Sequence, residues 1–133
     1  MKPRSVLLAA GLFGASGVGL GAFGAHALRQ QLMELGTRDR WETAVFYQLT
    51  HTLALFAAAI WLRAAPTSTA ARRIGWATLA WSVGIVLFSG SLYVMAITDD
   101  APLWLKAAVP PFGGTAFIVG WLLVASAALG RDE

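Results

Sequence analysis

Two histidines stand inside long apolar stretches, where ionisable side chains are costly and mark candidate sites. His51 lies near the middle of its stretch, on one helical face with Gln48, and Tyr47 is one turn before it. Ser89 and Thr115 fall at about the same level in two later stretches. This arrangement allows two interpretations: a neutral core histidine that is satisfied by such hydroxyls, or a relay that passes protons or a small solute.

The other histidine, His26, lies at the end of its stretch and has a carboxylate as its expected neighbour. Counting from the centre of each stretch at about 1.5 Å per residue places His26 level with Glu42. A hydrogen-bonded pair there either locks two helices together or handles a proton or a ligand, because a histidine beside a carboxylate titrates close to neutral pH. Trp41, which precedes Glu42, is typical of the aromatic belt at a membrane interface.

The depths of the two histidines argue against a haem or a metal held between them. His26 lies about 14 Å from the centre of its stretch, whereas His51 lies about 2 Å from its own. The chain also has no cysteine, no paired catalytic carboxylates and no nucleophile with an evident base. We therefore expect no catalytic residue, no metal site and no cofactor, and an intramembrane enzyme is the weakest functional hypothesis.

The apolar stretches themselves predict an integral membrane protein. Hydrophobic residues make up 57% of the 133 residues and charged residues only 13%, which excludes a disordered chain and leaves too little polar surface for a soluble globule. All the charges fall outside four continuous runs, each long enough to span a bilayer as a helix. The runs are residues 5–28, 43–62, 74–98 and 107–129.

These runs predict an all-α bundle of four membrane-spanning helices with antiparallel neighbours, in a single domain covering residues 1–133. A β-barrel is excluded because its strands would alternate in polarity. The lipid bilayer is the expected partner, with a homo-oligomer or other membrane proteins as further candidates. Nucleic acid is excluded as a partner, because the positive charge forms no basic face once the runs are removed.

The distribution of lysine and arginine predicts the orientation in the membrane. The two termini and the loop of residues 63–73 carry six of these residues, against four in the other two loops. Since positively charged loops stay in the cytoplasm, we expect both termini there. The run of residues 5–28 is longer than the core of a signal peptide, so we expect it to be retained as a helix.

The loops differ in character. Residues 63–73 have the composition of a plain polar turn, whereas residues 29–42 favour an extension of the first helix or a short interfacial helix. Gly36 is a candidate C-cap of that element, and Thr37 is a candidate N-cap of the next helix. Residues 99–106 suit another interfacial segment, because they include Leu-Trp-Leu.

A stripe of five glycines is the clearest packing signal. Their steps of 3, 3, 4 and 3 residues keep them on one face of the first helix, where small side chains allow a close approach. The stripe suits packing inside the monomer, self-association, or a glycine-lined groove for a ligand. The glycines are Gly11, Gly14, Gly17, Gly21 and Gly24.

The segment Pro110–Gly114, with the sequence Pro-Pro-Phe-Gly-Gly, leaves the start of the fourth helix open. A helix broken at this point would expose backbone groups to an ion or a substrate. Alternatively, the helix begins at Pro110 or Pro111, because proline suits the first turn.

Five motifs lie in the predicted helices and at their ends, at residues 21–28, 41–48, 88–93, 111–114 and 120–121. Together they resemble those of a family of small bacterial inner-membrane proteins, the domain-of-unknown-function family four hundred and twenty-three, which has relatives among small eukaryotic transmembrane proteins. The resemblance covers nearly the whole chain, and it implies four membrane helices without an established activity. Pro110 and Phe112 depart from the Thr-Pro-aliphatic-Gly-Gly pattern of the family.

Two functional hypotheses stand ahead of an enzyme. The first is a module that binds or passes a small solute, an ion or a lipid. The second is a structural or assembly partner of other membrane proteins, acting through the glycine-rich face of the first helix. The residues assigned to the first hypothesis are His26, Glu42, Tyr47, Gln48, His51 and Ser89.

Overall fold

A computed structural model describes residues 2–98 and 100–129 of the chain. Within these residues it contains helices, turns and short connections and no β-strand, as the sequence predicts. The helices are α1 (Pro3–Ala25), α2 (Arg29–Glu34), α3 (Arg38–Ala64), α4 (Thr69–Gly84), a π-helical segment (Ile85–Ser89), α5 (Gly90–Ile97), α6 (Leu103–Ala107) and α7 (Val109–Ala128).

Four helical stretches are long and apolar enough to cross a membrane, which confirms the predicted spans. They are Pro3–Ala25, Arg38–Ala64, Thr69–Ile97 and Leu103–Ala128. The third begins earlier than the uncharged run that predicted it. Ser68 caps α4, its hydroxyl accepting from the backbone N–H of Ala71 at 3.0 Å, so the helix starts within the loop that resembled a plain polar turn.

The connection between α1 and α3 contains a separate short helix, α2, rather than a continuation of α1. Gly36 follows α2 with φ of 65°, a left-handed conformation that favours glycine after a helix. Thr37 occupies the N-cap position of α3, but its side chain makes no capping bond. Instead, its hydroxyl donates to the carbonyl of Ala96 at 2.6 Å and ties this connection to the end of α5.

The start of α7 agrees with the simpler of the two expectations for the proline-rich segment. The helix begins at Val109, has proline in its first turn and continues unbroken to Ala128. Because proline lacks an N–H that the first turn would leave unpaired anyway, it is well placed there.

The spans pack as two close pairs, α1 on α3 and α4 on α7, and α3 also contacts the third span. Four of the five glycines of the stripe face α3: a Cβ on each would lie within 4 Å of a side chain of that helix. Gly11 has nothing within 4 Å. At Gly24 the added carbon would overlap the indole of Trp41. The glycine face is therefore largely covered inside the chain itself.

The contact between α7 and the third span is just as close. A Cβ on Gly113 would overlap the backbone of Phe88 in the π-helical segment, and one on Gly84 would overlap the ring of Phe117. Similarly, Gly120 lies against the indole of Trp81. These approaches bring Phe117 and the neighbouring Trp121 to the middle of α3, where His51 lies.

Candidate functional site

Gln48 is buried where α1, α3 and α5 meet, and its amide bonds to both neighbouring helices. The side-chain nitrogen donates to the carbonyl of Phe13 and to the hydroxyl of Ser16, each at 2.9 Å. The side-chain oxygen accepts from the hydroxyl of Tyr93, also at 2.9 Å. Because both amide hydrogens and one oxygen lone pair are in use, Gln48 is a cross-link between three helices.

His51 is buried one turn further along α3, and both of its ring nitrogens have partners. Trp121 Nε1 on α7 lies 3.2 Å from His51 Nε2. An indole N–H only donates, so Nε2 accepts, and the proton of a neutral ring is on Nδ1. Nδ1 lies 2.8 Å from the carbonyl of Tyr47, to which it donates. The bonds thus define a neutral imidazole with one tautomer.

Aromatic rings from α3, α4 and α7 surround His51. The ring of Phe117 stacks on the imidazole at a centroid distance of 3.6 Å and an interplanar angle of 13°. The rings of Tyr47, Trp81 and Trp121 complete the group, with centroids 6.0, 6.5 and 6.1 Å from that of His51. His51 is therefore satisfied in the core, but by partners other than those expected.

The expected hydroxyl partners of His51 lie elsewhere. Thr115 is exposed, and its hydroxyl donates to the carbonyl of Pro111 at 2.8 Å. The hydroxyl of Ser89, at the end of the π-helical segment, is fully buried and has no hydrogen-bond partner among the described residues. Residue counting therefore did not identify the partner of the imidazole on α7, where Trp121, six residues after Thr115, makes the hydrogen bond.

Glu42 does not pair with His26. Its carboxylate accepts from Arg38 Nε at 2.7 Å, one turn earlier on α3, and no hydrogen bond between Glu42 and His26 exists in the described part of the chain. His26 is exposed at the end of α1. Arg38 stands four residues before Glu42, a spacing that brings two side chains of one helix into contact.

Trp41 is also placed differently from the interfacial belt that the sequence suggested. Its indole is 4% exposed and donates to the carbonyl of Leu20 on α1 at 2.9 Å. The ring of Tyr93 meets it edge-on with centroids 4.7 Å apart. Gly24, which has no side chain, makes room for the indole.

Two cavities lie at opposite ends of the bundle. One, of about 740 Å³, is lined by parts of α1, α3, α4 and the loop between α3 and α4; we call it the Arg72 cavity. The other, of about 360 Å³, lies between α1, α2 and α3; we call it the Arg38 cavity. Glu42, Gly21 and Gly24 line the second cavity, and none of the other predicted site residues lines either.

Sequence reasoning missed several residues that the structure brings to these sites. Tyr93 and Trp121 lie in the motifs 88–93 and 120–121, but nothing in their spacing distinguished them, or Phe117, from ordinary membrane aromatics. Arg72 was available from the sequence, because its loop and the N-terminal segment carry five Lys and Arg and no acidic residue.

Comparison with known proteins identifies the family. Residues 20–114 match the model of a family described as "Protein of unknown function (DUF423)". The chain is 39% identical over 112 residues to the UPF0382 membrane protein YwdK of Bacillus subtilis (strain 168), covering 84% of this chain and 85% of that protein. It is 42% identical over 107 residues to the UPF0382 membrane protein SSP2132 of Staphylococcus saprophyticus, covering 80% and 82%.

The match to a third relative covers a larger share of this chain. The chain is 38% identical over 131 residues to the UPF0382 inner membrane protein YgdD of Escherichia coli (strain K12), covering 93% of this chain and 88% of that protein. No solved structure matches the chain. The four apolar spans and these matches together show that the chain is an integral inner-membrane protein of the DUF423 family of uncharacterised membrane proteins.

Proposed function

We propose that the protein binds an anionic phospholipid in the Arg72 cavity. The single observation that carries the proposal is the lining of this cavity, which is polar and cationic at the end of the bundle and apolar further in. The rim contains Arg72 and three consecutive hydroxyl residues, 67–69, and the inner wall contains Leu62, Trp76 and Leu79. An amphiphile with a charged head and a hydrocarbon chain matches this arrangement, with its head at the polar rim and its chain along the apolar wall.

The length of the cavity along α4 suits one leaflet of a bilayer. Thr69 at the rim and Leu79 on the inner wall are ten residues apart, which is about 15 Å along a helix. Half of a hydrocarbon core of roughly 30 Å has the same depth. A headgroup at the rim would therefore leave its acyl chain beside Trp76, which is 59% exposed.

The charge of this end of the molecule supports an anionic headgroup. The two termini and residues 63–73 contain six Lys and Arg and two acidic residues, whereas the loops at the opposite end contain five acidic residues and four basic ones. Arg72 has no carboxylate partner among the residues that the structure describes. The same asymmetry supports placing this end in the cytoplasm, next to the leaflet whose anionic lipids attract basic segments.

The polar groups at depth support binding rather than passage. His51 and Gln48 have their hydrogen-bonding groups engaged with Trp121, Tyr93 and the backbone. A solute passing through the bundle would have to break these bonds. Assembly through the glycine face receives less support, because α3 already covers most of it.

Competitive lipid binding tests the proposal. The purified protein is placed in nanodiscs of equal phosphatidylglycerol and phosphatidylethanolamine, and retained lipids are counted by native mass spectrometry. We expect Arg72→Gln to reduce retained phosphatidylglycerol about fivefold, since a basic residue near an anionic surface contributes roughly 1 kcal/mol. Arg63→Gln is the matched control, because Arg63 lies at the same end of the bundle, in the last turn of α3, but does not line the cavity.

Two outcomes would contradict the proposal. Equal effects of Arg72→Gln and Arg63→Gln would show a general electrostatic attraction without a site. Displacement of the lipid by millimolar inorganic phosphate would show a site for the free anion instead. Unchanged helicity by circular dichroism establishes that each variant is folded.

A further inference from the structure

The Arg38 cavity has a rim of different chemistry from that of the Arg72 cavity. Arg38 and Glu42 stand one turn apart on α3, and their side chains form the ion pair at the mouth. Below them the wall is apolar, with Trp41, Phe46 and Leu49 from α3. This cavity therefore offers one positive and one negative group beside an apolar wall.

Local packing explains why the cavity exists. The floor is formed where α1 has Gly21 and Gly24 in place of larger residues, and Trp41 turns inward to bond the carbonyl of Leu20. Leu32 of α2, which is fully buried, closes the upper side. Ala25 at the end of α1 is exposed and lies on the lining, so the cavity is open on this side.

The ion pair keeps free hydrogen-bonding capacity. Arg38 uses Nε for its bond with Glu42, so the four N–H groups on its terminal nitrogens remain as donors. Glu42 uses one carboxylate oxygen for that bond and has the other available. Their side chains are 53% and 57% exposed. A ligand can therefore bond both residues without separating them, and an exposed pair of this kind contributes little stability that a ligand would have to replace.

We propose that the Arg38 cavity binds a phospholipid with a phosphoethanolamine headgroup, in the leaflet opposite the Arg72 cavity. The phosphate accepts from the terminal guanidinium N–H groups of Arg38, and the primary ammonium donates to the free oxygen of Glu42. A trimethylammonium group has no N–H and makes no such bond, so phosphocholine lipids bind less tightly. The proposal concerns a second site and does not rest on the Arg72 cavity.

The depth of the cavity fits a lipid. Arg38 at the rim and Leu49 at the inner end are eleven residues apart on α3, about 16 Å along the helix. That is again close to the depth of one leaflet. The nearest other basic residue on α3, Arg40, points to another helix, because its guanidinium donates to the carbonyl of Met95 at 2.9 Å. One cation and one anion thus remain at the mouth.

The test compares headgroups that differ only in their N–H groups. The protein is placed in nanodiscs of equal phosphatidylethanolamine and phosphatidylcholine, and the ratio of retained lipids is measured by native mass spectrometry. We expect Glu42→Gln to reduce the preference for phosphatidylethanolamine about tenfold, the effect of losing one hydrogen bond to a charged group. The matched control is Glu34→Gln, an exposed carboxylate that does not line the cavity.

A second pair of variants tests the cavity without changing charge. Ala25→Leu fills the opening and should reduce retained phosphatidylethanolamine, whereas Ala22→Leu, at an exposed position of α1 outside the lining, should not. Equal retention of the two lipids by the unmodified protein would overturn the proposal. So would a preference that survives both Glu42→Gln and Ala25→Leu, or full displacement by free phosphoethanolamine. Arg72→Gln should leave this preference unchanged, which separates the two sites.

Discussion

The indole of Trp121 donates a hydrogen bond to Nε2 of His51 across 3.2 Å and so joins the fourth span to the midpoint of the second. His51 is thirteen residues from either end of α3, which places it at the centre of the span. The bond requires the neutral ring with its proton on Nδ1, directed at the carbonyl of Tyr47. The histidine at mid-depth is thus a link between helices, and a relay through it would first have to break this link.

The His51 tautomer can be measured directly. We expect nitrogen-15 NMR of histidine-labelled protein to show Nδ1 protonated and Nε2 unprotonated for His51. Trp121→Phe keeps an aromatic ring but removes the donor, and should lower the free energy of unfolding by about 0.6–1.7 kcal/mol, the range for hydrogen bonds between membrane helices. Trp104→Phe, at an indole that is 65% exposed, is the control. A proton on Nε2 would contradict the assignment.

Removal of the Gln48 amide should cost more than removal of the Tyr93 hydroxyl. Tyr93→Phe deletes one hydrogen bond, so we expect a loss of about 1 kcal/mol in the free energy of unfolding. Gln48→Leu deletes this bond and both bonds to α1, and leaves the half-buried hydroxyl of Tyr93 without its partner, for a loss of about 2–3 kcal/mol. In the double variant the Tyr93 change should add little, because its partner is already gone. Full additivity would show that the two groups do not interact.

The glycine stripe should tolerate alanine at one end and not at the other. At Gly24 the new methyl group overlaps the indole of Trp41, so Gly24→Ala should destabilise the protein by about 1–3 kcal/mol. Gly11→Ala is the matched control, because nothing lies within 4 Å and alanine favours a helix by roughly 0.5–1 kcal/mol. Thermal unfolding in detergent measures both. Equal melting temperatures of the two variants would contradict close packing of α1 on α3 at Gly24.

Two adjacent glycines of α7 give a sharper comparison. A Cβ on Gly113 meets the backbone of Phe88, which cannot change rotamer, whereas one on Gly114 lies 3.9 Å from the ring of Phe88 in ordinary contact. We expect Gly113→Ala to separate α7 from the π-helical segment and to lower the melting temperature more than Gly24→Ala does, since a side chain can shift and a backbone cannot. Gly114→Ala should change it little. Equal melting temperatures of the Gly113→Ala and Gly114→Ala variants would exclude this packing.

Chain composition and local spacing determined the helical spans of this protein. A run of uncharged apolar residues in a bilayer has to satisfy its own backbone polar groups, so length and polarity suffice to predict a helix. The proline at the start of α7 and Gly36 after α2 were equally predictable, because both reflect the backbone preferences of single residues. The start of α4 was not predictable in this way. The uncharged run begins only after Arg72 and Arg73, whereas the helix begins earlier, after the cap at Ser68.

Only the tertiary structure decided which polar groups meet. Residue counting gave the approximate depth of a residue within its own helix, but neither the rotation of each helix nor its shift along the axis, and these two decide which side chains meet. His51 therefore bonds Trp121 rather than Ser89 or Thr115, and Glu42 bonds Arg38 rather than His26. The two cavities likewise depend on how closely neighbouring helices approach each other. The periodicity of one helix does not contain this information, because the approach depends on the surfaces of both helices.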